Sequence, residues 1–164
     1  MGETWHALGI HGVYQSECWA SARVGLGAAF VAYQIIATLD DHPAAQFIEL
    51  QLLVGIPAWF AIVSPFQEFF FRAWLQPRLQ QAAGKKVGLM LASISFAAWH
   101  LIPPFEGTPT SSIVLFSVDG IITTIVLGLI LGYAFQRAKH IAAPCVAHAM
   151  AGIVLVVLGQ MGLL

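Results

Sequence analysis

The chain has 164 residues, 59% of them hydrophobic and only 9% charged, with mean hydropathy +0.80 and a formal net charge of -1. A soluble domain carries about 25% charged residues, so a soluble monomer, a disordered chain and a basic nucleic-acid-binding surface are all excluded. Cys18 and Cys145 are too few for a disulfide framework. Long unbroken apolar runs, in place of short alternating strands, select membrane helices over a barrel.

At the N-terminus, Thr4–Trp19 holds Trp5, Tyr14 and Trp19 among polar residues. Residues 1–22 therefore suit either a short interfacial helix or a mobile terminus. No basic residue precedes Arg23, so a cleavable signal peptide is not expected. Charge-free runs then follow at Val24–Leu39, Leu50–Gln67, Val87–Phe105, Gly120–Gln136 and His140–Leu164. With tolerant flanks each approaches the roughly 20 residues a crossing needs. Asp40–Pro43, Arg78–Lys86, Pro103–Pro109 and Arg137–Lys139 read as turns by their Pro, Gly and charge content. Phe47–Pro77 reads as one long element, tilted or bent at Pro57 and Pro65, with Pro65 able to start a fresh helix. The whole, residues 1–164, is expected to be a single all-α transmembrane domain of about five spans.

Cytoplasmic loops collect Lys and Arg. Arg23 precedes the first run, Arg78, Lys85 and Lys86 the third, and Arg137 and Lys139 the fifth. Five spans with a cytoplasmic N-terminus put all of these on one side. The expected location is a cytoplasmic or equivalent membrane.

Ionisable side chains inside a bilayer are costly and mark function by default. Glu68, Arg72, His100, Asp119 and His148 are the candidates, with Glu49 nearer an end. At a rise of about 1.5 Å per residue, Glu68, His100 and His148 fall at similar depth, in the cytoplasmic half or near the midplane. Asp119 comes out closer to the outer face. One carboxylate and two imidazoles suit two chemistries. The carboxylate can act as general base on a water, or the three can hold a zinc with an open position. Plainer readings stand beside these. Glu68 and Arg72, at i and i+4, can neutralise each other, and an intramembrane His can be a hydrogen-bonded packing residue. Two His among Ala, Gly and Trp also fit a pigment or haem site. Gly128-x-x-x-Gly132 and the stripe Ala143, Ala147, Ala151 read as close helix packing, and Cys145 as a small apolar residue.

The run Gln67-Glu68-Phe69-Phe70-Phe71-Arg72 resembles the Glu-Glu-x-x-x-Arg motif of the CAAX-protease and bacteriocin-processing (CPBP, or Abi) family. Phe96-Ala97-Ala98-Trp99-His100 is similar to its Phe-x-x-x-His motif, and His148-Ala149-Met150-Ala151-Gly152 to its His-x-x-x-Asn/Asp motif. The likeness spans residues 55–159. It implies an all-helical intramembrane endopeptidase whose site opens toward the cytoplasm. Glu68, His100 and His148 become the catalytic set, supported by Gln67, Arg72, Phe96 and Gly152. A divalent metal such as zinc, held by His100, His148 and Glu68, is a candidate cofactor. Implied partners are membrane lipids and a peptide or protein substrate, with no nucleic acid. The chain departs from the pattern twice. Gln67 replaces the first Glu and has no basic carboxylate, and Gly152 replaces the Asn or Asp that would support an oxyanion. The alternative reading is an inactive relative serving as a scaffold or accessory subunit beside other membrane subunits.

Overall fold

A computed structural model describes residues 15–39, 51–100 and 118–157. Over these residues the chain is helical and contains no strand. The helices are α1 (Gln15–Leu39), α2 (residues 51–83), α3 (Lys85–His100), α4 (Val118–Ala138) and α5 (Ala142–Val157). The segments at 1–14, 40–50, 101–117 and 158–164 lie outside the described residues. With them fall Glu49, the expected turns at 40–43 and 103–109, and part of the interfacial segment; the side chain of Asp119 is also not described.

Burial is inverted relative to a soluble protein. Leu53, Ile62 and Phe30 are 78%, 66% and 63% exposed, whereas Glu68, Arg72 and Gln76 are fully buried. Water would favour the reverse. In lipid, apolar side chains meet acyl chains and the costly polar groups turn into the bundle. Leu53–Ala83 and Gly120–Ala138 are long and apolar enough to cross a membrane, and Ala142–Val154 is a shorter apolar helix. Only 22% and 28% of the two long windows are buried, unlike the core helices of a soluble domain. The chain is an all-α membrane protein.

Helix α2 is not interrupted at Pro65, so the fresh helix expected to start there is not seen. It runs on as alternating π and α segments. The π segments Gln51–Gly55, Trp59–Val63 and Phe69–Leu75 each end two residues before a proline, Pro57, Pro65 and Pro77 respectively. A helical proline has no N–H for its carbonyl partner and its ring crowds the preceding turn. A wider turn absorbs that crowding without a break. The turn expected over Arg78–Lys86 narrows to one residue. Helix α2 continues to Ala83, Gly84 adopts φ +84°, and α3 starts at Lys85. A positive φ suits glycine, which has no Cβ to clash. Between α4 and α5, Lys139 takes φ 58°.

Helix α1 packs most extensively on α5 and also on α4, while α3 lies between α4 and the C-terminal end of α2. Small residues set these approaches. Ala28, Ala29, Ala143, Ala147 and Ala151 are buried. A side chain at Gly25 would collide with the backbone oxygen of Ala147 and lie 2.8 Å from its Cα. Gly128 faces Ser93, and Gly132 faces Leu89 and Gln76, so the Gly-x-x-x-Gly pair serves packing. Phe71, Phe96, Leu127 and Leu131 join this core, whereas Phe69 and Phe70 point outward.

The α1–α5 contact makes a direct test. Gly25→Val is expected to destabilise the protein by about 1–3 kcal/mol, the usual cost of overpacking. Gly27→Ala, whose added Cβ meets nothing within 4 Å, is expected to keep or raise stability, by up to about 1 kcal/mol from helix propensity. Thermal unfolding of the purified protein in detergent distinguishes the two.

Candidate functional site

The site is built on one stripe of α2. Ser64, Glu68, Arg72 and Gln76 recur every fourth residue and are all fully buried. In a pure α-helix, with 3.6 residues per turn, such a row drifts around the axis. A π turn contains more residues than an α turn. The mixed α2 therefore averages closer to four per turn and keeps the row on one line. The prolines of α2 thus straighten its polar face.

Each member of the row is tied to a neighbour. Ser64 Oγ donates to the carbonyl oxygen of Cys145 at 2.9 Å, and Gln76 Nε2 to that of Gly132 at 3.1 Å. Arg72 Nε donates to Glu68 Oε2 at 3.0 Å. The other carboxylate oxygen, Oε1, lies 2.8 Å from His148 Nδ1 on α5. With Glu68 as a carboxylate, an acceptor only, Nδ1 carries the hydrogen and Nε2 is the ring's acceptor. The Arg72 guanidinium also lies over the Phe96 ring, 4.8 Å from its centroid. The result is a buried chain, Arg72–Glu68–His148, in which one carboxylate serves both partners.

Aromatic rings wall this chain. Phe96 contacts His148 edge-on at 5.5 Å and His100 at 4.4 Å between centroids, and Trp59 contacts His148 at 5.4 Å. His100 Nδ1 donates to the carbonyl of Phe96 at 2.7 Å, which fixes its tautomer and leaves Nε2 as the acceptor. Glu68 and His148 thus touch directly, with Arg72 bound from the same helix, while His100 reaches the site through Phe96.

The expected metal set of Glu68, His100 and His148 is not assembled in this geometry. Among the described residues no three His, Cys, Asp or Glu side chains are disposed to hold an ion. Both oxygens of the Glu68 carboxylate are already taken, Oε2 by Arg72 and Oε1 by His148, and the Phe96 ring lies against both imidazoles. The residues present do not fit a metal centre.

The two departures from the family pattern have distinct surroundings. Gln67 is buried, and its Oε1 has no hydrogen-bond partner among the described residues. Glu68, the adjacent residue, is the one that meets His148. Gly152 faces Trp59. A Cβ at 152 would collide with the indole Nε1 and lie 2.6 Å from Cε2. Sequence reasoning missed Ser64, Gln76 and Trp59. The spacing of polar residues every fourth position along an apolar helix was the available signal for the first two. Trp59 had none, since its partners come from α5.

An all-α membrane protein with a carboxylate–imidazole pair buried between two of its helices defines the class. A family model described as type II CAAX prenyl endopeptidase Rce1-like matches residues 49–154, and the chain belongs to this family. No curated protein and no solved structure matches it significantly.

The buried pair predicts a specific stability pattern. Removing Arg72 alone strands the Glu68 carboxylate, and breaking a buried ion pair costs about 3–5 kcal/mol. Arg72→Met is therefore expected to destabilise strongly. The double change Glu68→Gln with Arg72→Met is expected to be milder than that single change. A double-mutant cycle on detergent unfolding measures the difference.

Proposed function

We propose that the protein is an intramembrane endopeptidase of the CAAX-protease type, in which Glu68 and His148 act as a dyad. The observation that carries this is the 2.8 Å contact between Glu68 Oε1 and His148 Nδ1, with the carboxylate anchored from behind by Arg72. The carboxylate is fully buried and already shared between two donors, which suits it to orient the imidazole. His148 Nε2 then takes a proton from water, and the resulting hydroxide attacks the scissile carbonyl carbon. The tetrahedral intermediate collapses as the C–N bond breaks, and His148 returns the proton to the departing amine. His100, with its tautomer set by Phe96, offers Nε2 to the water or to the substrate. The family suggests prenylated C-terminal peptides as the substrate class, reached from the bilayer with the site toward the cytoplasmic side. The scaffold reading draws on Gln67 and Gly152, and the intact dyad favours the enzyme.

Glu68→Gln and His148→Ala are each expected to reduce cleavage of a farnesylated Cys-containing reporter peptide by about 10²–10⁴-fold, the usual contribution of a positioned proton acceptor. Gln67→Glu is expected to lower activity, because it adds a second carboxylate at a buried position without a cation of its own. Reporter hydrolysis by protein in liposomes checks both. Equal activity of Glu68→Gln and the native protein would remove the dyad.

The topology proposal is five spans, N-terminus inside. Single cysteines placed at 85 and 106 are expected to label from opposite faces of intact cells. Labelling from the same face overturns it.

A further inference from the structure

We propose that the Trp59 indole N–H is the oxyanion donor of this site, standing where a side chain at position 152 would otherwise reach. The inference rests on the hydrolytic reading above. Three observations carry it. Trp59 Nε1 is buried and has no hydrogen-bond partner among the described residues. A buried donor without an acceptor costs about 1–3 kcal/mol, and such a group persists where something other than stability requires it. Second, the indole sits edge-on to His148, with centroids 5.4 Å apart and planes at 88°, so the donor belongs to the wall of the dyad and not to a remote helix contact. Third, the atoms that a Cβ at Gly152 would strike are Nε1, Cε2 and Cζ2, the edge of the indole that carries the N–H. Position 152 lies one turn after His148 on α5, and the absence of a side chain there is what admits the indole.

The chemistry follows from the charge that develops. When hydroxide adds to the carbonyl carbon, the carbonyl oxygen becomes an alkoxide and needs a donor already in place. Arg72 balances the Glu68 charge and binds it through Nε; its terminal nitrogens, also buried and without a partner among the described residues, belong to a guanidinium that lies over the Phe96 ring. Trp59 Nε1–H is neutral, rigid and a donor only, so it can stabilise the oxyanion without competing as a base. As the intermediate collapses, the oxygen becomes a carbonyl again and the indole keeps its proton throughout. The missing side chain at 152 and the idle donor at 59 are then one feature.

The test uses full-length protein in liposomes and the farnesylated reporter peptide. Trp59→Phe keeps an aromatic ring against His148 and deletes the N–H. It is expected to lower kcat by about 10²–10³-fold, with KM and melting temperature little changed. Gly152→Asn alone is expected to lower both activity and melting temperature, since its side chain meets the indole. Trp59→Ala with Gly152→Asn is expected to exceed Trp59→Ala alone in kcat, because the amide then enters the vacated space and supplies a donor. If Trp59→Phe retains native kcat while Glu68→Gln is inactive, the Trp59 assignment is overturned and the dyad stands. If the double variant is no better than Trp59→Ala, the two positions do not share one place and the assignment is likewise overturned. If native protein and Glu68→Gln hydrolyse the reporter equally, the dyad falls, and if neither hydrolyses it the hydrolytic reading falls; either result takes this inference with it.

Discussion

The Glu68 carboxylate is the group around which the described helices are arranged. Removing a carboxylate and a guanidinium from water costs several kcal/mol per ion even after relaxation, and their attraction offsets this only when geometry is good and the remaining lone pairs are used. Glu68 meets that condition by giving Oε2 to Arg72 and Oε1 to His148. The first bond lies within α2 and cancels charge. The second crosses to α5 and fixes how the two helices face each other. On α5, Ala147, Ala149 and Ala151 beside His148 are all buried, and Ala147 lies against Gly25 of α1.

The same constraint explains why α2 carries three prolines. A polar row spaced by four residues along an ordinary α-helix would wind off the bundle and present an ionised group to lipid, where its cost is highest. Widened turns ahead of Pro57, Pro65 and Pro77 hold Ser64, Glu68, Arg72 and Gln76 in line. Residues that usually break helices here set the pitch. Each residue of the row then makes at least one bond within reach, from the Cys145 carbonyl at one end to that of Gly132 at the other. Gly132 is where it is because a Cβ there would lie 2.7 Å from Gln76 Oε1.

Much of this was legible in the sequence, and the limits have physical causes. Hydropathy alone gave the membrane class, because a chain with 9% charged residues has no other stable solution. The ionisable residues in apolar runs gave Glu68, Arg72 and His148, since each is too costly to be incidental. Three short motifs in order gave the family. The π turns were not legible, because hydrophobic patterning reports which residues face lipid and not how many make a turn. The role of Phe96 between the imidazoles was hidden too. Depth estimates along separate helices placed His100 and His148 at one level, but only packing shows a ring against both. The carboxylate of the expected ligand set is likewise seen to be taken only in the structure, where Arg72 and His148 hold its two oxygens.

Gly152 shows most clearly why motif residues cannot be scored one position at a time. On the sequence, the glycine reads as a lost donor and weighs against catalysis. In the structure, the space it leaves is filled by an aromatic edge bearing an N–H from another helix. A side chain at 152 and the indole of Trp59 exclude each other, so a larger residue at 152 requires a change at 59. Gln67 follows a related logic. Its neighbour already holds His148, and a second carboxylate beside it would need its own counter-ion in a region where Arg72 is spoken for. A neutral amide of nearly the same shape fills that position without adding charge. Both departures are then consistent with the buried contact between Glu68 and His148: one makes room for the indole beside His148, and the other adds no charge next to Glu68.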